Sequence, residues 1–130
     1  CCYAGGDEWV DWGETLQGNV VMGEELRPQR LQQVLDACGV SLPPSARLER
    51  GAHGGDRGLL QRVQLARAAY AARDLYLLDE PLSACPAEER VATLRALLRG
   101  ALRSRAVVVA SSCFALAAEA SEDGLVLLRG

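Results

Sequence analysis

Residues 61–84, which read QRVQLARAAYAARDLYLLDEPLSA, decide the fold of this chain. The first half, residues 61–73, contains no Gly or Pro and repeats apolar residues at helical spacing, which predicts a helix. The short apolar run at 75–78 is typical of a strand that is buried on both faces. Asp79 and Glu80 then follow at the carboxyl end of that strand, where open α/β sheets bind their ligands. The first acid can hold Mg²⁺ and the second can orient a water molecule toward a phosphate.

Composition places the chain among globular proteins of one domain. It has 130 residues, of which 49% are hydrophobic and 24% are charged, enough for a modest core. The net charge of −3 and the lack of a basic run argue against a nucleic-acid surface. No apolar stretch reaches the roughly 18 residues that a membrane span needs. We therefore expect any membrane association to come through a partner or a further part of the chain.

Five cysteines are scattered without the CxxC spacing of metal or redox sites. They predict free, mostly buried thiols in a reducing compartment. We interpret the adjacent Cys1 and Cys2 as part of a strand, and a reactive or acylated pair is the alternative. The chain begins with Cys rather than Met, so we expect a fragment.

Further helices and strands are predicted on both sides of residues 61–84. Pro28 suits the first turn of a helix that stops at Gly39, and its apolar stripe is Leu31, Val34, Leu35 and Cys38. Pro86 suits the first turn of another helix, whose stripe is Val91, Leu94, Leu98 and Ala101. Residues 106–110 and 125–128 read as strands, and residues 114–120 read as a short helix. Alternating helices and strands predict a parallel sheet.

The sequence of residues 61–84 resembles the ATPase domain of ATP-binding-cassette (ABC) transporters. In that family QRVxLARA follows the signature motif, the Walker B strand ends in an Asp and a catalytic Glu, and the D-loop comes next. DEPLSA is similar to the multidrug-resistance-protein-like (C) subfamily. The resemblance implies an α/β, P-loop NTPase-like parallel sheet with a helical subdomain, the C-terminal part of an ABC ATPase domain. It also implies that Asp79 holds the metal and that Glu80 is catalytic.

Nearly the whole chain, residues 1–130, fits this resemblance as one partial domain. Residues 1–60 match the Q-loop segment, the helical subdomain and a degenerate signature, and residues 61–130 match the core from Walker B to the H-loop. The Walker A loop, GxxxxGK[ST], needs a lysine, and all 14 basic residues here are arginine. Because that loop lies upstream of the Q-loop in the family, we expect the Walker A portion to be missing.

The positions that contact phosphate in the family depart from its pattern. Gly6 occupies the position at which the family has the Q-loop glutamine. In the signature, the serine position is Asp56 in one alignment, and a carboxylate there would repel a γ-phosphate. In the other alignment Gly54 and Gly55 replace the glycine pair, and His53 takes the serine place. We expect His53 to be a solvated loop residue, with a phosphate contact as the alternative.

Two further positions are altered after the Walker B strand. Ser111 stands where the H-loop histidine contacts the γ-phosphate, and a hydroxyl lacks the charge of an imidazole. Pro86 replaces the aspartate of the D-loop. The candidate nucleotide-binding positions are Gly54, Gly55, Asp56 and Ser111. Trp9 and Trp12 are expected to anchor a subdomain or a partner interface, and stacking on a ligand is the alternative.

The resemblance implies part of the ATP-binding and ATP-hydrolysing domain of an ABC-type exporter. ATP and Mg²⁺ would be the cofactors of the intact parent protein. Its transmembrane domains and a second ATP-binding domain would be the partners, with the chain at the cytoplasmic face of a membrane. Phosphoryl transfer depends on positioning and electrostatics, so the lost contacts predict a degenerate site and an inactive isolated chain.

Two other functions fit parts of the sequence. A non-catalytic ABC-like interaction or regulatory module would keep the fold and dock to a transmembrane or partner domain. A flavodoxin-like binding domain would show flavin absorbance, but this function does not explain the sequence motifs of residues 61–84.

Overall fold

The computed structural model describes residues 1–121 and 125–128, which form an α/β fold around one parallel sheet. The four strands are β1 (Cys2–Ala4), β2 (Leu75–Asp79), β3 (Ala106–Ser111) and β4 (Leu125–Leu128). They lie in the order β1-β2-β3-β4, and each neighbouring pair is parallel. The predicted parallel α/β architecture is therefore confirmed. All four strands end at the same edge of the sheet.

Six helices connect or flank these strands in the described part of the chain. They are α1 (Leu16–Val21), α2 (Pro28–Ala37), α3 (Arg50–His53), α4 (Arg57–Tyr70), α5 (Ala87–Arg99) and α6 (Phe114–Ser121). Helix α2 starts at the predicted proline. In residues 1–121 and 125–128, no helix is both long enough and apolar enough to cross a lipid bilayer.

Helix α4 begins four residues before the predicted start and ends three residues before the predicted end. It begins early because Asp56 is its N-cap, where Oδ1 accepts a hydrogen bond from the Leu59 amide over 2.9 Å. It ends early because Ala72 has a left-handed backbone, with φ +51°. The boundaries are thus set by a cap and a turn rather than by apolar periodicity.

The expectation that His53 is a solvated loop residue is wrong. His53 ends the short helix α3 and is only partly exposed. Its Nδ1 accepts a hydrogen bond from the Glu49 amide over 3.0 Å. This contact satisfies a donor that the first turn of a helix leaves without a backbone partner.

The core is continuous from the helices of the N-terminal half to the sheet. The predicted α2 stripe is buried throughout, at Leu31, Val34, Leu35 and Cys38. In β2, Tyr76 and Leu78 are buried, but the alternate residues are only partly buried. The expectation of a strand buried on both faces is therefore wrong for this chain, since one face is only partly covered.

The five cysteines are free, as predicted. They are not mostly buried, however, because Cys38 alone among them is fully enclosed. Cys2 lies in β1 and Cys1 precedes it, so the strand interpretation of the N-terminal pair is confirmed for Cys2 alone.

Candidate functional site

Asp79 is the last residue of β2 and lies beside Ala110 of β3 in the parallel register. The Tyr3 hydroxyl of β1 donates a hydrogen bond to its Oδ2 over 3.3 Å. The chain after β1 also passes very close to this residue, because a Cβ added at Gly5 would lie 2.7 Å from the Asp79 Cβ. The ends of β1 and β2 therefore meet at this carboxylate, and β3 lies beside β2.

The backbone turns sharply directly after β2. Glu80 and Leu82 both have left-handed backbones, with φ +45° and +58°. The Glu80 amide donates to the Ala110 carbonyl over 2.7 Å, which holds the turn against β3. Residues other than glycine rarely adopt this conformation, and strain of this kind concentrates at functional sites.

The Glu80 carboxylate is turned toward the end of β3. Its Oε1 accepts from the Ser112 amide over 2.6 Å. Its Oε2 accepts from the Ser111 hydroxyl and from Arg90 Nη2, each over 3.3 Å. Burial raises the pKa of Glu80, but the hydrogen bonds from Ser112, Ser111 and Arg90 outweigh it and hold that pKa below its ordinary value. The carboxylate is therefore ionised at neutral pH.

Arg90 completes this cluster from helix α5. Its side chain is almost enclosed, and its Nε donates to the Pro81 carbonyl over 3.2 Å. Its Nη2 also donates to the Ser111 hydroxyl over 3.3 Å. The prediction missed this residue, although its place on the α5 stripe was a signal, because it stands four residues before buried Leu94 and seven before buried Leu97.

A cavity of about 80 Å³ opens beside the two acids. Apart from Asp79 and Glu80, its polar lining comes from Glu8, Arg57, Gln61, Gln64 and Ser83. Gly6, at the Q-loop glutamine position, also lines it and has a left-handed backbone.

Glu8 is the centre of a hydrogen-bond group on one wall of this cavity. Its Oε1 accepts from Arg57 over 2.8 Å and from Gln61 over 2.6 Å. Burial raises the pKa of Glu8, but these two donors bring it below its ordinary value. Gln61 in turn donates to the Ser83 hydroxyl over 2.9 Å and accepts from the Ala84 amide over 2.8 Å.

The predicted site residues fall into two groups. Asp79, Glu80 and Ser111 are brought together at the ends of β2 and β3. Gly54, Gly55 and Asp56 do not line the cavity beside them. Within the chain, Gly54 is the C-cap of α3 and Asp56 is the N-cap of α4.

The two tryptophans are engaged by arginines. The Arg67 guanidinium lies 3.8 Å from the ring centroid of Trp9, and Arg50 lies 5.4 Å from that of Trp12. Arg67 also donates to the backbone carbonyls of Trp9 and Asn19. These contacts fasten the segment after β1 onto α4, which agrees with an anchoring role for Trp9.

The residues at the site fit Mg²⁺ better than they fit a whole nucleotide. Mg²⁺ is usually held by one or two carboxylates together with phosphates and waters, and the side chain of Asp79 is a carboxylate. Within residues 1–121 and 125–128, no three His, Cys, Asp or Glu side chains converge to hold a metal by themselves. The cavity of about 80 Å³ is also far below the roughly 300–1,000 Å³ of ligand pockets. These residues therefore do not form a nucleotide cavity alone.

The chain is similar to several proteins of one transporter family. It is 47% identical to human ATP-binding cassette sub-family C member 3 over 77 residues, and this matched stretch covers 54% of the chain and 5% of that protein. It is 41% identical over 93 residues to human sub-family C member 2, covering 65% of the chain and 6% of that protein. It is 33% identical over 105 residues to ABC transporter C family member 12 of Dictyostelium discoideum, covering 75% of the chain and 8% of that protein.

The chain thus spans less than a tenth of the length of these relatives. No family model matches it. The family prediction from residues 61–84 is nevertheless confirmed by the relatives: the chain belongs, as a partial ABC domain, to the C subfamily of ABC transporters.

Proposed function

We propose that this chain is part of the ATP-binding and ATP-hydrolysing domain of an ABC-type exporter, with a degenerate site that is inactive in the isolated chain. The observation that carries the proposal is the pair Asp79–Glu80 at the carboxyl end of β2, in a chain related to C-subfamily ABC proteins. ATP and Mg²⁺ are the cofactors of the parent protein. Its transmembrane domains and a second ATP-binding domain are the partners, and the chain lies at the cytoplasmic face of the membrane.

Each acid has a separate role in this proposal. Asp79 holds Mg²⁺, whose charge offsets the charge that develops on the phosphates. Glu80 is already ionised and orients the attacking water. The altered positions Gly54, Gly55 and Asp56 meet the nucleotide of the opposite domain, and Ser111 stands at the H-loop. Loss of several such contacts costs orders of magnitude in rate, because each commonly contributes 100-fold or more (roughly 10²–10³).

The proposal is tested in the full-length product of the gene, purified in detergent or nanodiscs. Glu80→Gln is expected to abolish the share of ATP turnover that this site supplies, while ATP still binds. Glu88→Gln is the matched control, since Glu88 is exposed on α5 and makes no contact with the Glu80 cluster described above. Full turnover in the Glu80→Gln protein would assign hydrolysis to the second ATP-binding domain and overturn the catalytic role.

A non-catalytic docking module is the second candidate. Two observations favour it: both carboxylate oxygens of Glu80 are occupied by donors of the chain itself, and the adjacent cavity is small. This candidate predicts that the full-length product binds no ATP at this site and that Glu80→Gln leaves assembly with its transmembrane partner unchanged.

A further inference from the structure

Arg90 joins three acceptors from two segments, the turn after β2 and the end of β3. It reaches the Pro81 carbonyl after β2, the Glu80 carboxylate and the Ser111 hydroxyl of β3. Only 9% of the surface of Arg90 is exposed to solvent. A buried cation is costly unless it is paired and hydrogen-bonded, so this set of acceptors fixes where the guanidinium lies.

The same contacts fix the Glu80 carboxylate. Oε1 is held by the Ser112 amide, and Oε2 is held by Ser111 and Arg90. Hydrogen bonds to an ionised group are about twice as strong as those between neutral groups. The carboxylate is therefore docked on the end of β3. These contacts fill three of the roughly four acceptor positions of the carboxylate and leave about one for a water molecule.

We propose that Arg90 is a positioning residue that keeps the Glu80 carboxylate docked on the end of β3 and thereby fixes the direction from which it accepts a hydrogen bond from an attacking water. The docking follows from the contacts of this chain alone. Its consequence for hydrolysis rests on the function proposed above, in which Glu80 orients that water.

The amide of Ser112 gives a direct readout of the docked state. A backbone amide that donates to a carboxylate has a strongly downfield proton resonance and exchanges slowly with solvent. We expect Arg90→Met in the ¹⁵N-labelled 130-residue chain to move the Ser112 resonance upfield and to speed its hydrogen exchange by about tenfold, because the paired charge is lost. Arg90→Lys keeps the charge and is expected to restore part of the shift.

A matched arginine controls for the general loss of an ion pair. Arg105 pairs with Asp74 over 2.8 Å at the opposite ends of β2 and β3. Arg105→Met is expected to leave the Ser112 resonance in place. Should Arg90→Met not fold, Glu80→Gln in the chain with Arg90 intact is expected to shift the guanidinium proton resonances of Arg90.

The positioning role is overturned if the Ser112 amide keeps its resonance and exchange rate in a folded Arg90→Met chain. It is equally overturned if Glu80→Gln leaves the Arg90 resonances unchanged. None of these measurements needs nucleotide, so they separate this inference from the proposed function. If Ser112 responds to Arg90 while Glu80→Gln leaves turnover intact in the full-length protein, the docking stands and its link to hydrolysis falls.

Discussion

The side chain of Gln61 donates from Nε2 to Oε1 of Glu8 over 2.6 Å, and so ties helix α4 to the segment after β1. The same amide group reaches Ser83 and Ala84 in the turn after β2. One buried glutamine thus connects three segments on the wall of the cavity beside Asp79.

Gln61→Ala should therefore destabilise the fold. Gln61 is 8% exposed, and its loss removes partners from a carboxylate, a hydroxyl and an amide at once. We expect the free energy of unfolding to fall by about 2 kcal/mol in urea denaturation. Gln32→Ala is the control, because Gln32 is exposed and bonds only to Asp36 in the described contacts. Equal losses in the two variants would show that the Gln61 contacts add nothing.

The lowered pKa of Glu8 predicts that the stability of the fold depends on pH. Its pKa in the folded chain lies below the ordinary 4.5, so the unfolded chain binds the proton more readily. The stabilisation from Glu8 is therefore complete above that ordinary value and is lost as the pH falls through the lower, folded value. We expect Glu8→Gln to be less stable than the wild type at neutral pH and to lose less stability between about pH 5 and 3.

The measurement for Glu8 is the free energy of unfolding across that acid range. Asp7→Asn controls for the removal of one negative charge, because Asp7 is exposed in the same loop. Parallel curves for Glu8→Gln and the wild type would contradict the predicted contribution.

The left-handed backbone of Ala72 predicts that a glycine at this position stabilises the fold. It has φ +51° directly after helix α4 and is exposed. Ala72→Gly removes the steric cost of a left-handed alanine, about 1–2 kcal/mol, and adds unfolded-chain entropy worth about 0.4–1 kcal/mol. We expect a net gain of roughly 0.5–1 kcal/mol in thermal or urea unfolding. Ala71→Gly, at φ −62°, should instead reduce stability. A loss of stability in both variants would argue against the left-handed turn.

Thiol reactivity should differ sharply among the cysteines. Burial raises the pKa of Cys38 to about 12, whereas Cys1 is exposed. Because the thiolate is the reactive form, we expect iodoacetamide at about pH 8 to label Cys1 first and to leave Cys38 unlabelled until the chain is unfolded. Mass spectrometry of native and urea-treated samples measures this order. Equal labelling rates in the native chain would contradict the enclosed position of Cys38.

Sequence periodicity predicted the elements whose burial is local. The apolar stripe of α2 and the apolar run of β2 each reflect the packing of a single element against the core. Such patterns can be recognised in the sequence without knowledge of the tertiary structure. The start of α4 was misplaced although Asp56 is a strong N-cap type.

The cluster around Glu80 lay beyond sequence reasoning. Its donors come from the end of β3 and from α5, up to 32 residues away along the chain. Their meeting also depends on the left-handed backbone of Glu80, which the preferences of a glutamate do not predict. Asp79 and Glu80 could be selected as candidates from their place after an apolar run, but the direction of the Glu80 side chain required the tertiary structure.

The decisive measurement is ATP turnover by the 130-residue chain in the presence of Mg²⁺, compared between the wild type and Glu80→Gln. The chain has no lysine for a phosphate loop, and its cavity is small. We therefore expect no phosphate release above that of the Glu80→Gln chain. Wild-type turnover that Glu80→Gln abolishes would contradict it, since it would show a complete catalytic site within these residues.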